Sequence, residues 1–219
     1  MTEGWGVFLS FLYVGAVLWV VKKGETRWYS PFTARKLIHL FVGTWVLPSF
    51  FLFRHWYVAI LPPFAFIWIN LLLERRRFFS FGASEVGFGT VYFPMSCVIL
   101  LVLFWAEPLR LCAGCGALAL AWGDSLAALV GKKWGRHRYT VKRTEKSFEG
   151  SLAMAGGTFA GCVVSFLLFQ PRPFETIVFW SASIALLASI LESISTRGLD
   201  NLTVPLGSAW AAYLLTTRW

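Results

Sequence analysis

Apolar residues gather in eight runs along this chain, near 5–21, 37–53, 56–73, 86–106, 111–130, 151–169, 176–191 and 202–217. A helix needs about 20 apolar residues to cross a bilayer, and about 17 suffice. The runs therefore predict about eight membrane-spanning helices. The last two runs are short, so seven spans with a re-entrant or interfacial piece is the alternative. Only helices and closed barrels satisfy their backbone in lipid, and no alternating strand pattern supports a barrel. The predicted fold class is all-α: a polytopic integral membrane protein with a single membrane-embedded unit over 1–219.

The polar segments between the runs alternate in charge. Segments 22–36, 74–85, 132–147 and 192–201 hold 16 of the 20 Lys and Arg residues. The other side carries Arg54, Arg110, Arg172 and Arg218. The positive-inside rule places the first set in the cytoplasm and both termini outside. No basic region precedes the first run, so it is read as a span and not as a removed signal.

Composition agrees. The chain is 57% hydrophobic and 14% charged, where soluble domains carry about 25% charged residues. The net charge of +9 sits in short loops, which suits anionic headgroups or phosphorylated substrates and argues against nucleic acid. Cys97, Cys112, Cys115 and Cys162 all lie in apolar runs. Cys112-Ala-Gly-Cys115 has no second ligand pair, so these cysteines read as small packing residues and not as a metal or redox site.

The chemistry concentrates between Ala121 and Ser151. Asp124 falls about 10 Å inside the end of its apolar run. An acid at that depth is costly unless it meets a cation, a metal or a polar cavity. Lys132 to Lys146 then carries seven Lys or Arg and a single acid, Glu145. Of these cations, Lys132, Lys142, Arg143 and Lys146 are candidate phosphate donors. Lys142 and Lys146 share a face if the segment is helical. Ser147, Glu149, Gly150 and Ser151 lead into the next run, where hydroxyls, accessible N–H groups and a helix N-terminus favour anions.

Three other segments offer partners. Arg35, Lys36 and His39 sit within one helical turn at the mouth of the second run. Glu85 lies in a Gly-rich stretch before the fourth run. Glu192, Asp200 and Asn201 stand where the seventh run ends and the eighth begins, and Asp200-Asn201 also suits a helix N-cap. Pro62-Pro63 must kink or break the third run, and Asn70 is placed to bond across helices. Mg²⁺ takes hard oxygens from one or two carboxylates plus substrate phosphate, so Asp124 and Asp200 are the candidate metal ligands. A base for an alcohol nucleophile is available from these acids, from Glu192 or from His39. Gly131-Lys-Lys-Trp-Gly135 lacks the ending of a Walker A loop.

Taken in order, Gly123-Asp124-Ser-Leu-Ala-Ala, Gly131-Lys-Lys-Trp-Gly135, Lys146-Ser-Phe-Glu-Gly-Ser151 and Asp200-Asn-Leu-Thr-Val-Pro205 resemble the CTP-dependent lipid kinases. That family includes dolichol kinase, phytol and farnesol kinases and the CTP-using diacylglycerol kinase. Arg35-Lys36-x-x-His39 and Gly89-Thr-Val-Tyr-Phe-Pro94 also look like it. The resemblance implies transfer of the CTP γ-phosphate to a lipid alcohol, with Mg²⁺ or another divalent cation. It further implies nucleotide around Lys142–Ser151, with Asp124 and Asp200 in the site. The central stretch is also similar to CDP-diacylglycerol synthase, a cytidylyltransferase that releases pyrophosphate. Asp200-Asn201-x-x-x-Pro205 departs from the paired acids of that family and favours the kinase. A non-enzymatic carrier is the remaining class, but matching inverted halves are not evident.

Overall fold

The computed structural model describes residues 2–25, 27–75, 89–141, 144–196 and 198–218. Every apolar run is helical within them. The helices are α1 (Glu3–Glu25), α2 (Pro31–Thr44), α3 (Val46–Leu52), α4 (Trp56–Ala59), α5 (Leu61–Arg75), α6 (Gly89–Leu103), α7 (Arg110–Leu118), α8 (Ser125–Trp134), α9 (Phe148–Phe169), α10 (Phe174–Ile194) and α11 (Asp200–Arg218). The protein is thus an all-α membrane protein with one small ribbon. Four helical stretches are long and apolar enough to cross a bilayer: Glu3–Glu25, Glu107–Trp134, Phe148–Phe169 and Phe174–Ile194. Shorter apolar helices cover Trp56–Leu72 and Gly89–Leu103.

Local chemistry explains the breaks. Pro62 and Pro63 fall in the first turn of α5, where a missing N–H costs nothing, so the third run divides at Ile60 into α4 and α5. Ser30 caps α2: its Oγ accepts from Thr33 N at 3.4 Å, and Pro31 follows. Ser147 caps α9 in the same way, accepting from Gly150 N at 3.1 Å. Asn70 Nδ2 donates to the Thr90 carbonyl at 2.7 Å, tying α5 to α6.

The central element runs from α7 through α8. Ala113, Gly114, Gly116, Ala117, Ala119 and Ala121 are all buried on it, because small side chains let neighbouring helices approach. The Gly157–Gly161 face of α9 packs here; a Cβ at Gly157 would lie 2.9 Å from the Trp122 carbonyl, and one at Gly161 would lie 2.6 Å from Leu118 Cβ. α11 lies against α6, α7 and α10. Between α7 and α8 the helix widens into a π turn, Ala119–Asp124. Such turns recur at functional sites because they displace side chains from the ordinary helical register.

The basic segment is extended where it is described. β1 (Arg138–Val141) and β2 (Thr144–Ser147) pair antiparallel, Tyr139 opposite Lys146. The shared helical face envisaged for Lys142 and Lys146 does not apply to Lys146, which is in a strand. Lys142, Arg143 and Glu85 lie outside the described residues.

Candidate active site

The ends of α2, α8, α9, α10 and α11, with the ribbon, surround one cavity of about 1370 Å³. Asp124, at the close of the π turn, is buried at 3% exposure and faces it. Lys36, one turn into α2, reaches across and donates from Nζ to Asp124 Oδ2 at 2.7 Å. A buried acid thus meets a buried cation, as its depth requires.

A second lysine does similar work on the other wall. The register of β2 turns Lys146 inward, and Lys146 Nζ donates to Glu192 Oε1 at 2.6 Å and to the Glu192 backbone carbonyl. Ser147 and Gly150, at the start of α9, line the same cavity. So does Ser151, whose Oγ lies 2.7 Å from Tyr139 Oη. The capped N-terminus of α9 is therefore presented beside Lys146.

Asp200 and Asn201 close the site from the far end of the chain. Asp200 occupies the first turn of α11, within it and not before it, and its Oδ1 accepts from Asn201 N at 3.1 Å. Asn201 Nδ2 donates to the Gly198 carbonyl at 3.1 Å. Among the described residues Asn201 Oδ1 is buried without a hydrogen-bond partner. The turn before α11 depends on Gly198, whose φ of +79° favours glycine. A Cβ there would also stand 2.9 Å from Gly89 Cα. That approach fixes the start of α11 against the start of α6.

His39 stacks on Phe93, with ring centroids 4.4 Å apart, and its buried Nδ1 has no partner among the described residues. Arg35 and Lys132 also line the cavity, and each cation lies over the Phe32 ring, at 5.8 and 4.2 Å from its centroid.

Of the residues singled out in the sequence, the fold brings Arg35, Lys36, His39, Asp124, Lys132, Lys146, Ser147, Gly150, Ser151, Glu192, Asp200 and Asn201 to one cavity. Glu149 is not among its lining residues. Its carboxylate instead accepts from His137 N at 3.2 Å and sits 2.7 Å from His137 Nδ1, holding the ribbon to α9. Two features were not foreseen. The Lys36–Asp124 pair joins motifs 88 residues apart, and the cavity continues from its polar end into apolar space between α1, α2, α5 and α6.

The carboxylates suit a hard cation. Asp124 and Asp200 face the same space, and Asn201 lines it as well. Among the described residues no three His, Cys, Asp or Glu side chains form a metal cage of their own. An ion held here by one or two carboxylates would draw its remaining ligands from water or phosphate.

This polar arrangement coincides with extensive similarity to known proteins. A phytol kinase from Synechocystis sp. is 37% identical over 218 residues, covering 97% of this chain and 92% of its own. The chain belongs to the family of lipid kinases that includes the phytol, farnesol and dolichol kinases and the CTP-dependent diacylglycerol kinases. The chloroplastic farnesol kinase of Arabidopsis thaliana is 32% identical over 136 residues, 58% of this chain and 42% of that one. CTP-dependent diacylglycerol kinase 1 of Schizosaccharomyces pombe is 32% identical over 136 residues, 58% of this chain and 60% of that one. No family model matches the chain, and no solved structure matches it.

Proposed function

We propose that this protein transfers the γ-phosphate of CTP to the hydroxyl of a lipid alcohol at the cytoplasmic face of a membrane. The observation that carries this reading is the single cavity that joins phosphate-binding chemistry at one end to apolar walls at the other.

The triphosphate lies along Lys146, Ser147, Gly150 and the α9 N-terminus, where a cation and aligned N–H groups favour an anion. Ser151 borders the same surface, and Lys142 and Arg143 extend the cationic set by sequence. Asp124 and Asp200 would hold Mg²⁺, which would offset the charge on the phosphates. Asn201 lies beside them. In the reaction the alcohol oxygen bonds to the γ-phosphorus and the bond to the bridging oxygen of the β-phosphate breaks. CDP leaves, and the hydroxyl proton passes to one of the nearby bases, Asp124, Asp200, Glu192 or His39. Transfer of this kind works by positioning and charge neutralisation, and it needs no covalent intermediate. Arg35, Lys36 and Lys132 border the site, with Lys36 setting the position of Asp124.

The placement of charge supports the cytoplasmic assignment. Segments 22–36, 132–147 and 192–201 all contribute to the cavity, and these carry the positive excess. At the opposite end Glu3 accepts from Arg54 N and His55 N, both at 2.9 Å.

The test is incubation of the purified protein in detergent with labelled CTP or ATP, Mg²⁺ and separate alcohols: phytol, farnesol and diacylglycerol. The expected result is CDP and a phosphorylated lipid, with CTP preferred. Pyrophosphate with a CDP-lipid, in a parallel incubation with phosphatidate as the acceptor, would overturn the reading in favour of a cytidylyltransferase, and no turnover with any alcohol or with phosphatidate would leave a carrier.

A further inference from the structure

Lys146 enters the cavity from β2, and the end of α10 holds it there. Its Nζ donates to Glu192 Oε1 at 2.6 Å and to the Glu192 backbone carbonyl. Glu192 stands in the last turn of α10, where carbonyls lack partners along the helix and the helix dipole favours a cation. The same carbonyl also accepts from Ser195 N at 3.2 Å. Both side chains line the cavity and are nearly enclosed, at 11% and 12% exposure. The contact spans 46 residues of chain and clasps the ribbon to α10.

An ammonium has three N–H donors. Glu192 takes two of those on Lys146, which leaves one for a phosphate oxygen. The N-terminus of α9, capped by Ser147, begins directly after this lysine. A triphosphate lying there meets a cation already paired with a carboxylate, and the carboxylate itself repels the phosphate. In a site that water barely reaches, both effects exceed their size at an open surface. The same contact argues against Glu192 as proton acceptor, because its Oε1 is committed to Lys146.

We propose that Glu192 is a positioning residue that acts through Lys146. Its carbonyl and side chain fix the ammonium beside the start of α9, and its charge opposes the phosphate that the ammonium attracts. The hold on nucleotide is thereby limited. This assignment rests on the phosphate placement proposed above and narrows it, since it removes Glu192 from the candidate bases.

Glu192→Gln separates the two parts: the amide oxygen still accepts from Lys146, and the charge is gone. Inorganic triphosphate and CTP, titrated into the detergent-solubilised protein at constant Mg²⁺, are expected to bind about tenfold more tightly, the scale of one unit charge removed at close range. KM for CTP falls with the dissociation constant, and kcat falls by no more than that factor, as CDP leaves more slowly. Glu175→Gln removes an equal charge from the exposed first turn of α10, about 25 Å away, and leaves both affinities unchanged. Weaker or unchanged triphosphate binding in Glu192→Gln overturns the proposal. So does a loss of kcat of about 100-fold or more, the scale of a missing base. If Glu192→Gln does not fold, Glu192→Asp takes its place. It draws the carboxylate back by one methylene, so triphosphate is expected to bind about threefold more tightly, and the absence of any gain refutes the assignment. A wild-type protein that binds triphosphate but phosphorylates no alcohol ends the kinase reading, and the clasp is then judged on these affinities alone. A wild-type protein that binds neither triphosphate nor CTP overturns the clasp, whatever its turnover.

Discussion

Lys36 Nζ lies 2.7 Å from Asp124 Oδ2, joining the mouth of the second apolar run to the fifth run across 88 residues of chain. Both side chains are nearly enclosed, at 11% and 4% exposure. Removing one partner of such a pair leaves a buried charge uncompensated, at a cost of about 3–5 kcal/mol. Lys36→Met is therefore expected to lower the thermal stability of the detergent-solubilised protein sharply. The double variant Lys36→Met/Asp124→Asn should recover part of the loss, since it leaves no orphaned charge. If the double variant is less stable than Lys36→Met alone, the pair does not hold this part of the fold.

Asp124 and Asp200 are the proposed metal ligands, so their loss should be read in the metal dependence of turnover. Asp124→Asn and Asp200→Asn are each expected to raise the Mg²⁺ concentration for half-maximal activity and to cut kcat by about 100-fold or more, the scale of losing a preorganised electrostatic group. Titration of activity against Mg²⁺ checks this. A drop in stability with an unaltered Mg²⁺ titration would return Asp200 to a purely structural place in the first turn of α11.

Lys146 and Glu149 stand three residues apart but are used differently. Lys146 lines the cavity, and Glu149 faces His137. Lys146→Ala should abolish turnover and weaken CTP binding in equilibrium measurements. Glu149→Ala should lower the melting temperature and leave the affinity for CTP near wild type. Equal losses of CTP affinity in the two variants would put Glu149 on the nucleotide after all.

Gly198 holds a left-handed backbone and a close approach at once. Gly198→Ala adds strain of about 1–3 kcal/mol from the conformation alone, and its Cβ would meet Gly89 Cα at 2.9 Å. The expected outcome is reduced stability together with reduced turnover, because the start of α11 carries Asp200. Normal kinetics and melting in this variant would show that the turn can relax without moving the site.

Much of this arrangement was legible along the chain. The apolar runs specify helices because lipid offers a backbone no other partner, and the prolines at 62 and 63 specify where the third run divides. A lone acid inside an apolar run marks Asp124 as paired or functional, since hydrocarbon does not tolerate an isolated charge. The ordered motifs from Arg35 to Pro205 carry the family. Other features depend on how helices meet. The partner of Asp124 could not be read from spacing, because Lys36 reaches it only when α2 packs beside the π turn. The π turn itself leaves no mark in hydropathy. Glu149 sits in a motif beside Lys146, and the strand-to-helix corner at Ser147 separates their directions. The apolar end of the cavity, too, belongs to four helices at once. Its residues look like ordinary lipid-facing or packing positions until α1, α2, α5 and α6 are set around it. Sequence alone determined the membrane-embedded helical class and the inventory of charged groups, because solvation and helical period act locally. Which charge meets which, and which helices wall the cavity beside them, was decided by the tertiary structure, because those relations exist only between distant segments.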